Sequence, residues 1–501
     1  MCDEQSDLVP LSGQSSKGCT EHLSMPGKPE AEPQPSLRQY CSWRIRWPMM
    51  MWTSRLPRNR AICLAATKMV STLAEAGEGV AARRGYSHFF IMHTYSESIL
   101  PNKLRVITST HVDSWINFME LWVNAGSRHE NAGGLGYAHI LEHMLLKGTK
   151  KWPTPYLLGL EKDRIGVYSN AQTNLEKISL TINGLSKYKD RMMHVLAEQA
   201  LNSIIDEIAL ENEKKVILEE YKKSADDPVR HIARISQMNF FENHPLGKNI
   251  LGNPESIKAV TQDSLLAYHH SFFVPSQTAL IISGDIKHGE AYDMASKYFG
   301  GWKDVKSKNN FQNFRLNNHS FFEKRDISQF HIAISYNTTG VELSKRQLAL
   351  SILANYLNFG YTSPLMQELR IKNGLVYQIN IMNGRYVDAG RFSIQTSTTE
   401  PQKVIDIILE TINSIPDKLT PSLFEEIKNQ YIDGLLVNMS DFEKEISFLG
   451  TNFILRGKMS SPADTLKEIE SIDRDFLMDT VKGFFVEERR HIAVLGPCQI
   501  F

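Results

Sequence analysis

Three side chains in the segment GYAHILEHMLLKGT have the types and the spacing of a metal-dependent hydrolytic centre. His139 and His143 are four residues apart, so on a helix they lie one turn apart on the same face. Two imidazoles in this arrangement can bind one Zn²⁺ ion. Glu142 lies beside them and can take a proton from a water molecule at the metal. The order H-x-x-E-H reverses H-E-x-x-H, the other spacing that zinc sites use.

A third metal ligand must come from elsewhere in the chain, because a catalytic zinc generally has three protein ligands and one open position. The helical pattern ENEKKVILEEYKK offers Glu213 and Glu220, which are seven residues apart and therefore point in the same direction. The residues alone do not choose between these two glutamates. Helices rich in Glu and Lys are also common as plain solvated surfaces.

The charge balance and the cysteine content exclude several classes of protein. Lys plus Arg and Asp plus Glu each number 56 in 501 residues, so the formal net charge is zero. A nucleic-acid-binding chain would carry a basic excess, and an acidic disordered chain the opposite. No apolar run approaches the ~20 residues of a membrane-spanning helix. Four of the five cysteines lie between Cys2 and Cys63, which excludes a disulfide scaffold in the body and fits a reducing compartment.

Residues 1–95 differ from the rest and predict an N-terminal extension of low order. Residues 1–36 are rich in Ser, Pro and Glu and show almost no apolar period. Residues 33–74 contain arginines but no acidic residue, as mitochondrial transit peptides do. Such peptides begin at the N-terminus, however, and here acidic residues come first. A poorly structured extension, or a wrongly assigned start site, explains the pattern more simply.

The remaining chain alternates strand and helix patterns in two successive units. In the first unit, strand patterns at Trp115–Val123 and Ser169–Asn183 flank a helical pattern over 135–148 that carries the histidines. A stretch rich in Lys and Asn then predicts a linker over 303–325. A second unit of strands and helices occupies residues 326–501.

An internal echo links the two units. The segment FFVPSQTALIISG spans 272–284, and FFVEERRHIAVLG spans 484–496, so the two align from end to end without a gap. Each reads as a helix end, a turn, a strand and a final glycine, Gly284 or Gly496. This pattern favours an ancient duplication that produced two structurally similar domains in tandem.

With these motifs in place, the chain resembles the insulinase/pitrilysin family of zinc metallopeptidases. The resemblance is closest to the short branch that includes bacterial processing-protease-like proteins and the β subunit of the mitochondrial processing peptidase. It covers about 96–501 and is strongest over 100–260. It implies an α+β sandwich of two tandem homologous domains, each a mostly antiparallel sheet covered by helices: a catalytic domain over 96–302 and a metal-free one over 326–501. The matching segments are LPNKLRVITS, NAGSRHE, HILEHMLLKGTKK, SNAQTNLEKISL, KKVILEEYKK and HPLGKNILGNPESI.

The resemblance also implies roles for individual residues near the metal. The family's third zinc ligand follows the second histidine at a fixed spacing, which the intervening residues 144–219 match here, and this selects Glu220. Glu213 then matches the glutamate that orients a ligand or tunes the metal. Together with His139 and His143, these residues imply one Zn²⁺ per chain, and Glu142 is the implied general base.

Four further residues match positions that hold the substrate in the family. Asn170 and Ala171 fall on an edge strand to which an extended peptide is added as a further strand. Arg370 and Tyr377, in SPLMQELRIKNGLVYQIN, match a pair that donates hydrogen bonds to the scissile carbonyl or the oxyanion that forms from it. In the short branch this pair serves the zinc of a partner chain.

The sequence therefore predicts a zinc metalloendopeptidase that cleaves unfolded peptides or presequences inside a clamshell chamber. A homodimer is expected, because one chain carries both the zinc motif and the Arg/Tyr pair. Two alternatives are an active subunit that needs a different, related partner, and a non-catalytic structural or assembly protein. Neither nucleic acid nor a transmembrane segment is expected. The compartment stays open, with a bacterial cytoplasm favoured over the mitochondrial matrix.

Overall fold

A computed structural model describes residues 93–130, 135–305, 319–340 and 344–500. These belong to one compact unit within 74–501. The predicted extension over 1–95 lies outside the described residues apart from its last three positions. Most of the predicted linker over 303–325 also lies outside them.

The first half, residues 93–305, contains a sheet with helices on one of its faces. Its strands are β1 (His93–Ile99), β2 (Arg105–His111), β3 (Ile116–Val123), β4 (Tyr168–Thr173), β5 (Ile178–Leu185) and β6 (Thr278–Gly284). Its helices are α1 (Tyr137–Met144), α2 (Pro155–Ile165), α3 (Lys189–Leu201), α4 (Glu207–Asp226), α5 (Pro228–Phe240), α6 (Pro254–Ala259), α7 (Gln262–Phe272) and α8 (His288–Phe299).

The second half, residues 319–500, repeats this arrangement. Its strands are β7 (Phe321–Lys324), β8 (Phe330–Thr338), β9 (Ile379–Arg385), β10 (Gly390–Thr398) and β11 (Arg490–Gly496). Its helices are α9 (Ser344–Asn358), α10 (Pro401–Asn413), α11 (Ile415–Lys418), α12 (Pro421–Asn438), α13 (Phe442–Arg456), α14 (Pro462–Glu470) and α15 (Arg474–Phe484), with a π-helix at Met366–Lys372.

The two sheets have the same strand order. The first is β1-β2-β6-β3-β5-β4 and the second is β7-β11-β8-β10-β9, so the first differs by the added edge strand β1. In each sheet one pair is parallel, β2 with β6 and β7 with β11, and the other pairs are antiparallel. This arrangement confirms the predicted fold class of two homologous α+β domains with mostly antiparallel sheets.

The helix-covered face of each sheet forms the core of its half. In β3, Met119, Leu121 and Val123 point into the core of the first half, as the alternation of a strand requires. Ile332 and Ile334 of β8 do the same in the second half. The large apolar side chains on this face of each sheet are thereby removed from water. Their burial is the main stabilising contribution to both halves.

The opposite face of each sheet is covered by a helix from the other half. On the first sheet, Ile446, Leu449 and Phe453 of α13 pack against a cluster that includes Phe118 and Trp122. On the second sheet, Ile232 and Ile235 of α5 pack against the three apolar side chains Ala333, Ala493 and Leu495. Each half therefore completes the other, and the faces between them are partly apolar rather than wholly solvated.

One predicted element is divided in the structure. The expected single strand Ser169–Asn183 forms the two antiparallel strands β4 and β5. The Asn174 side chain accepts hydrogen bonds from the backbone N–H groups of Glu176 and Lys177, at 3.0 and 2.9 Å. This turn reverses the chain, because an asparagine side chain can replace the strand's own hydrogen-bond partners. As a result β4 becomes the edge of the sheet.

Candidate metal centre

Helix α1 presents the H-x-x-E-H motif at the boundary between the core and the space between the halves. Its apolar residues Ala138, Leu141 and Met144 are buried in the core of the first half. The carboxylate of Glu130 accepts hydrogen bonds from the backbone N–H groups of Gly136, at 3.0 Å, and of Ala138, at 2.9 Å. These donors would otherwise be left without partners at the start of the helix, so Glu130 fixes where α1 begins.

Three potential metal ligands converge where α1 meets α4. The ligand atoms of His139, His143 and Glu220 all lie within 4.8 Å of one another. Glu220 Oε2 is 3.5 Å from His139 Nε2 and 3.8 Å from His143 Nε2. The two imidazole rings lie edge to face, with centroids 4.7 Å apart. Two imidazole nitrogens and one carboxylate oxygen around a common point are the ligand set of many catalytic zinc sites.

Each of the two imidazoles has a ring nitrogen that can bind a cation. Burial, with a smaller contribution from neighbouring His143, lowers the pKa of His139 to about 4, so its ring is neutral near pH 7. The buried His139 Nδ1 has no hydrogen-bond partner among the described residues. His143 Nδ1 lies 3.0 Å from Glu213 Oε2, which leaves its Nε2 free to face Glu220. The residues present therefore fit a zinc ion.

Glu213 anchors this arrangement instead of joining the cluster. It holds His143 through one oxygen and Lys147 through the other, at 2.6 Å from Lys147 Nζ. Burial raises the pKa of Glu213, but the hydrogen bonds from Lys147 and His143 outweigh it and the net shift is downward. An ionised carboxylate behind a histidine sets the orientation of its ring.

Glu142 stands beside the cluster and lines the same cavity as His139 and Glu220. Burial raises its pKa above the ordinary value, while a hydrogen bond from the Thr173 side chain and the charge of His143 act in the opposite direction. A carboxylate with a raised pKa is a better proton acceptor, as a general base requires.

The cavity has a volume of about 880 Å³ and lies between the first sheet, α5 and the second half. One wall is β4, which contributes Asn170 and Ala171. These residues pair with Thr181 and Leu180 of β5, respectively. The other edge of β4 has no strand partner within the described ranges. An extended peptide could therefore pair with β4 close to Glu142.

The structure does not bring Arg370 and Tyr377 into this cavity. Arg370 belongs to the π-helix, and its guanidinium carbon lies 5.1 Å from the centre of the Tyr377 ring. The Tyr377 side chain is 79% exposed. The two side chains are thus close to each other, as their spacing predicts, but separate from the metal-ligand cluster of their own chain.

Several residues of the site were not identified from the sequence. Thr173 and Lys147 lie within the quoted segments SNAQTNLEKISL and HILEHMLLKGTKK, but no motif position predicted a role for either. Arg234 and Arg391, which also line the cavity, belong to different halves and no local motif links them. Only the packing of α5 against the second sheet places both in one wall.

Two family models match this chain. The one described as Insulinase (Peptidase family M16) matches residues 106–254, which include the ligand cluster. The one described as Peptidase M16 inactive domain matches residues 259–431, which include Arg370 and Tyr377. The chain belongs to the insulinase family. This confirms the family predicted from the motifs.

Similar proteins in the family bear the names of zinc proteases. An uncharacterized zinc protease of Rickettsia felis is 28% identical over 409 residues, which cover 80% of this chain and 98% of its own. The uncharacterized zinc protease YmxG of Bacillus subtilis is 26% identical over 381 residues, covering 75% and 92%. A probable mitochondrial-processing peptidase subunit beta of Arabidopsis thaliana is 24% identical over 418 residues, covering 80% and 78%.

The solved structures show the same fold. A protease from Helicobacter pylori matches with a TM-score of 0.75 at 20% identity, over 81% of this chain and all of that one. The structure of a peptidase M16 inactive domain from Pseudomonas fluorescens matches with a TM-score of 0.74 at 14% identity, over 81% and 99%. Of the helices in the described ranges, none is both long and apolar enough to cross a membrane.

Proposed function

We propose that this protein is a zinc-dependent metalloendopeptidase. His139, His143 and Glu220 bind the metal, and Glu142 is the general base. The observation that carries the proposal is the convergence of these three ligand atoms within 4.8 Å in a cavity that Glu142 also lines. The names of the similar zinc proteases support the same chemistry.

Zinc held by these ligands supplies a Lewis acid that polarises a carbonyl group and lowers the pKa of water. The protein's own residues manage the proton. Glu142 accepts it from the attacking water and returns it to the leaving amine, since its raised pKa suits both transfers. Glu213 accepts from Nδ1 of His143 and so keeps the lone pair on Nε2, on the side of Glu220, where it would be available to bind the metal.

The substrate binds as an added strand on the free edge of β4, with Asn170 and Ala171 in contact with it. Backbone pairing requires an extended peptide, so folded proteins are excluded and unfolded peptides or presequences are accepted. In this proposal residues 96–302 form the catalytic domain and residues 326–501 the metal-free domain, to whose sheet β7, from within the predicted linker over 303–325, also belongs.

A second chain completes the site. The exposed Arg370–Tyr377 pair lies outside its own chain's cavity, which is the arrangement expected if it reaches the cavity of a partner and stabilises the oxyanion there. A homodimer satisfies this with one kind of chain. The relative named a processing-peptidase subunit favours a heterodimer as the second candidate. The compartment that we propose is a bacterial cytoplasm, with the mitochondrial matrix as the alternative.

The test uses the full chain, purified and loaded with zinc. We expect about one zinc per chain and cleavage of a quenched unfolded peptide that stops on chelation. Glu142→Gln should keep the metal and lose activity, because it removes only the base. Glu219→Gln is the matched control, since Glu219 is an exposed neighbour of Glu220 with a side chain 71% accessible.

Each outcome separates the candidates. Zinc binding without cleavage until a related subunit is added would support the heterodimer. A folded protein that neither binds zinc nor cleaves peptides would contradict the peptidase proposal and leave a structural or assembly role.

A further inference from the structure

Away from the metal-ligand cluster and Glu142, the cavity is lined by more cations than carboxylates. Within the described residues, two carboxylates stand against four cationic side chains there. The carboxylates are Glu120 and Glu443, and the cations are Lys177, Lys248, Arg234 and Arg391. This part of the cavity therefore carries an excess of positive charge facing the substrate.

The two lysines are committed to other contacts. Lys177 Nζ lies 3.7 Å from Glu120 Oε1 and 3.3 Å from the centre of the Trp122 ring. Lys248 Nζ donates a hydrogen bond to the backbone oxygen of Glu130. The positive charge available to a ligand therefore comes from the two arginines.

Arg234 is oriented by a contact with His231, and one of its donor nitrogens makes no hydrogen bond to the described residues. Its Nη2 lies 2.8 Å from His231 Nδ1, and His231 Nε2 lies 2.6 Å from Glu323 Oε1. The guanidinium also lies over the Tyr221 ring, with its carbon 5.2 Å from the ring centre. Its Nη1 is buried and has no hydrogen-bond partner, and no carboxylate lies within ion-pair distance in the described part of the chain. A buried donor without a partner costs free energy. Because Arg234 lines the cavity, a small turn of its guanidinium would let a ligand carboxylate accept from this nitrogen.

Arg391 provides a second, independent cation in the same wall. It is 4% exposed and donates to two hydroxyl groups, Ser335 Oγ at 3.0 Å and Ser236 Oγ at 2.7 Å. Among the described residues no carboxylate pairs with it. Ser236 belongs to α5, the helix that also carries Arg234, so both guanidinium groups lie along one helix. Unpaired buried charges are costly, and such a pair attracts an anion.

We propose that Arg234 binds a carboxylate of the substrate, with Arg391 adding to the positive field. Of the two substrate classes in the proposed function, the cavity then favours unfolded peptides that carry an acidic group near the scissile bond over basic presequences, which meet like charge. This inference rests on the proposed peptidase function and names the substrate class of the same site. The carboxylate is an Asp or Glu side chain or the peptide's own C-terminus, because the chemistry is identical.

Binding is measured separately from cleavage so that the two proposals can fail independently. Four peptides of one sequence are compared: neutral and amidated, neutral with a free C-terminus, and amidated with a central Glu or a central Lys in place of Ala. Their affinities are measured by fluorescence anisotropy on the zinc-loaded Glu142→Gln protein. Their kcat/KM values are measured on the wild type.

The Glu peptide should bind about tenfold more tightly than the neutral amidated one, and the Lys peptide more weakly. The preference should shrink as salt is raised. A gain for the free C-terminus alone would assign the carboxylate to the peptide terminus. Equal binding of all four peptides, or preference for Lys, would overturn the inference while cleavage of the neutral peptide still upheld the peptidase.

Variants locate the effect. Arg234→Gln should remove the difference in affinity between the Glu peptide and the neutral amidated peptide, and Arg234→Glu should reverse the preference toward Lys. Arg230→Gln is the matched control, because Arg230 lies one turn earlier on α5 and its side chain is 62% exposed. An equal loss for every peptide in Arg234→Gln, or the same change in the Arg230 control, would count against the proposal. If Arg234→Gln does not fold, Arg234→Lys keeps the charge, and the wild-type preference alone still decides.

Discussion

The two halves of this protein share a scaffold but only one of them carries the chemistry. Lys214 in α4 donates to the backbone oxygen of Lys258 at 3.2 Å, and Lys428 in α12 donates to that of Ile472 at 3.1 Å. The donor Lys428 follows the donor Lys214 by 214 residues, and the acceptor Ile472 follows the acceptor Lys258 by the same 214 residues. Asp227 and Asp441, whose side chains cap the starts of α5 and α13, are related by this same shift in numbering.

At this shift the metal-site residues have no counterparts of their type. The position equivalent to Glu220 is Gly434, and the position equivalent to Glu213 is the buried Ile427. Contacts that hold helices in place are thus retained in both halves, whereas the groups for binding a metal occur in one. The site therefore depends on a few side chains, and the scaffold that carries them folds without them in the second half.

The largest expected effect comes from making the first half resemble the second at one ligand. Glu220→Ala should abolish tight zinc binding and lower kcat/KM by more than about a thousandfold, because two histidines alone hold the metal weakly. Metal content and peptide cleavage are the measurements. Gly434→Ala, at the equivalent position of the second half, should leave both unchanged. Retention of one zinc per chain in Glu220→Ala would show that another residue is the third ligand.

A smaller effect is expected where the helices of one half cover the sheet of the other. A Cβ atom at Gly450 of α13 would overlap the Trp122 ring. The equivalent residue in α5 is Ser236, whose side chain has room and whose hydroxyl accepts a hydrogen bond from Arg391. Gly450→Ala should therefore lower the free energy of unfolding by about 3 kcal/mol. Urea denaturation measures it. An unchanged midpoint would mean that α13 can move away from the sheet at little cost.

A difference in pH dependence is expected from α7 and α15, which carry the two copies of the internal echo at their C-terminal ends. In that alignment His269 of α7 is equivalent to Val481 of α15. Burial, only partly opposed by the hydrogen bond to the Ala200 oxygen, lowers the pKa of His269 to about 4. This pKa is below the value of about 6.5 in the unfolded chain. The neutral His269 therefore contributes fully to the free energy of unfolding above pH 6.5, and this contribution is lost as the pH falls toward 4.

His269→Val should remove this slope. At pH 4 the variant should lose about 2 kcal/mol less of its stability than the wild type does, relative to pH 7. Thermal or urea unfolding at several pH values checks this, and His270→Val, an exposed neighbour, is the control. Parallel profiles for wild type and His269→Val would show that His269 is not the group responsible.

The smallest effect is expected at the glycine that stands in place of the ligand. Gly434 is exposed within α12, and a Cβ atom there would meet nothing within 4 Å. Gly434→Ala should therefore raise the free energy of unfolding by about 0.5–1 kcal/mol, because alanine has the higher helix propensity. A loss of stability would indicate that α12 is not a regular helix at this point in solution.

The parts of the molecule that sequence could predict are those whose signals are local. The helical pattern over 135–148 predicted helix α1, found over Tyr137–Met144, and the strand pattern Trp115–Val123 predicted β3, found over Ile116–Val123. The H-x-x-E-H spacing needs only one helix, and the spacing from His143 to Glu220 came from the family. The convergence of these three side chains is in keeping with that hypothesis.

The parts that sequence missed depend on contacts between distant segments. The turn at Asn174 divides a continuous apolar pattern, and periodicity alone does not register it. The exchange of α5 and α13 between the sheets joins residues that lie far apart in the chain, such as Ile281 and Ile446. Arg234 gains its significance from a cavity wall, not from its neighbours in sequence.

The exchange of helices has a consequence for how the chain folds during synthesis. The first sheet is complete once β6 has emerged, yet α13, which covers its face, begins only at residue 442. Because synthesis proceeds at ~5–20 residues per second, roughly 10–30 s pass between the emergence of β6 and that of α13, and the face stays uncovered during this time. During this interval Phe118 and Trp122 lie on an open apolar surface. The nascent first half is therefore the species that most needs protection by a chaperone, and a ribosome stalled between the halves would release an aggregation-prone fragment.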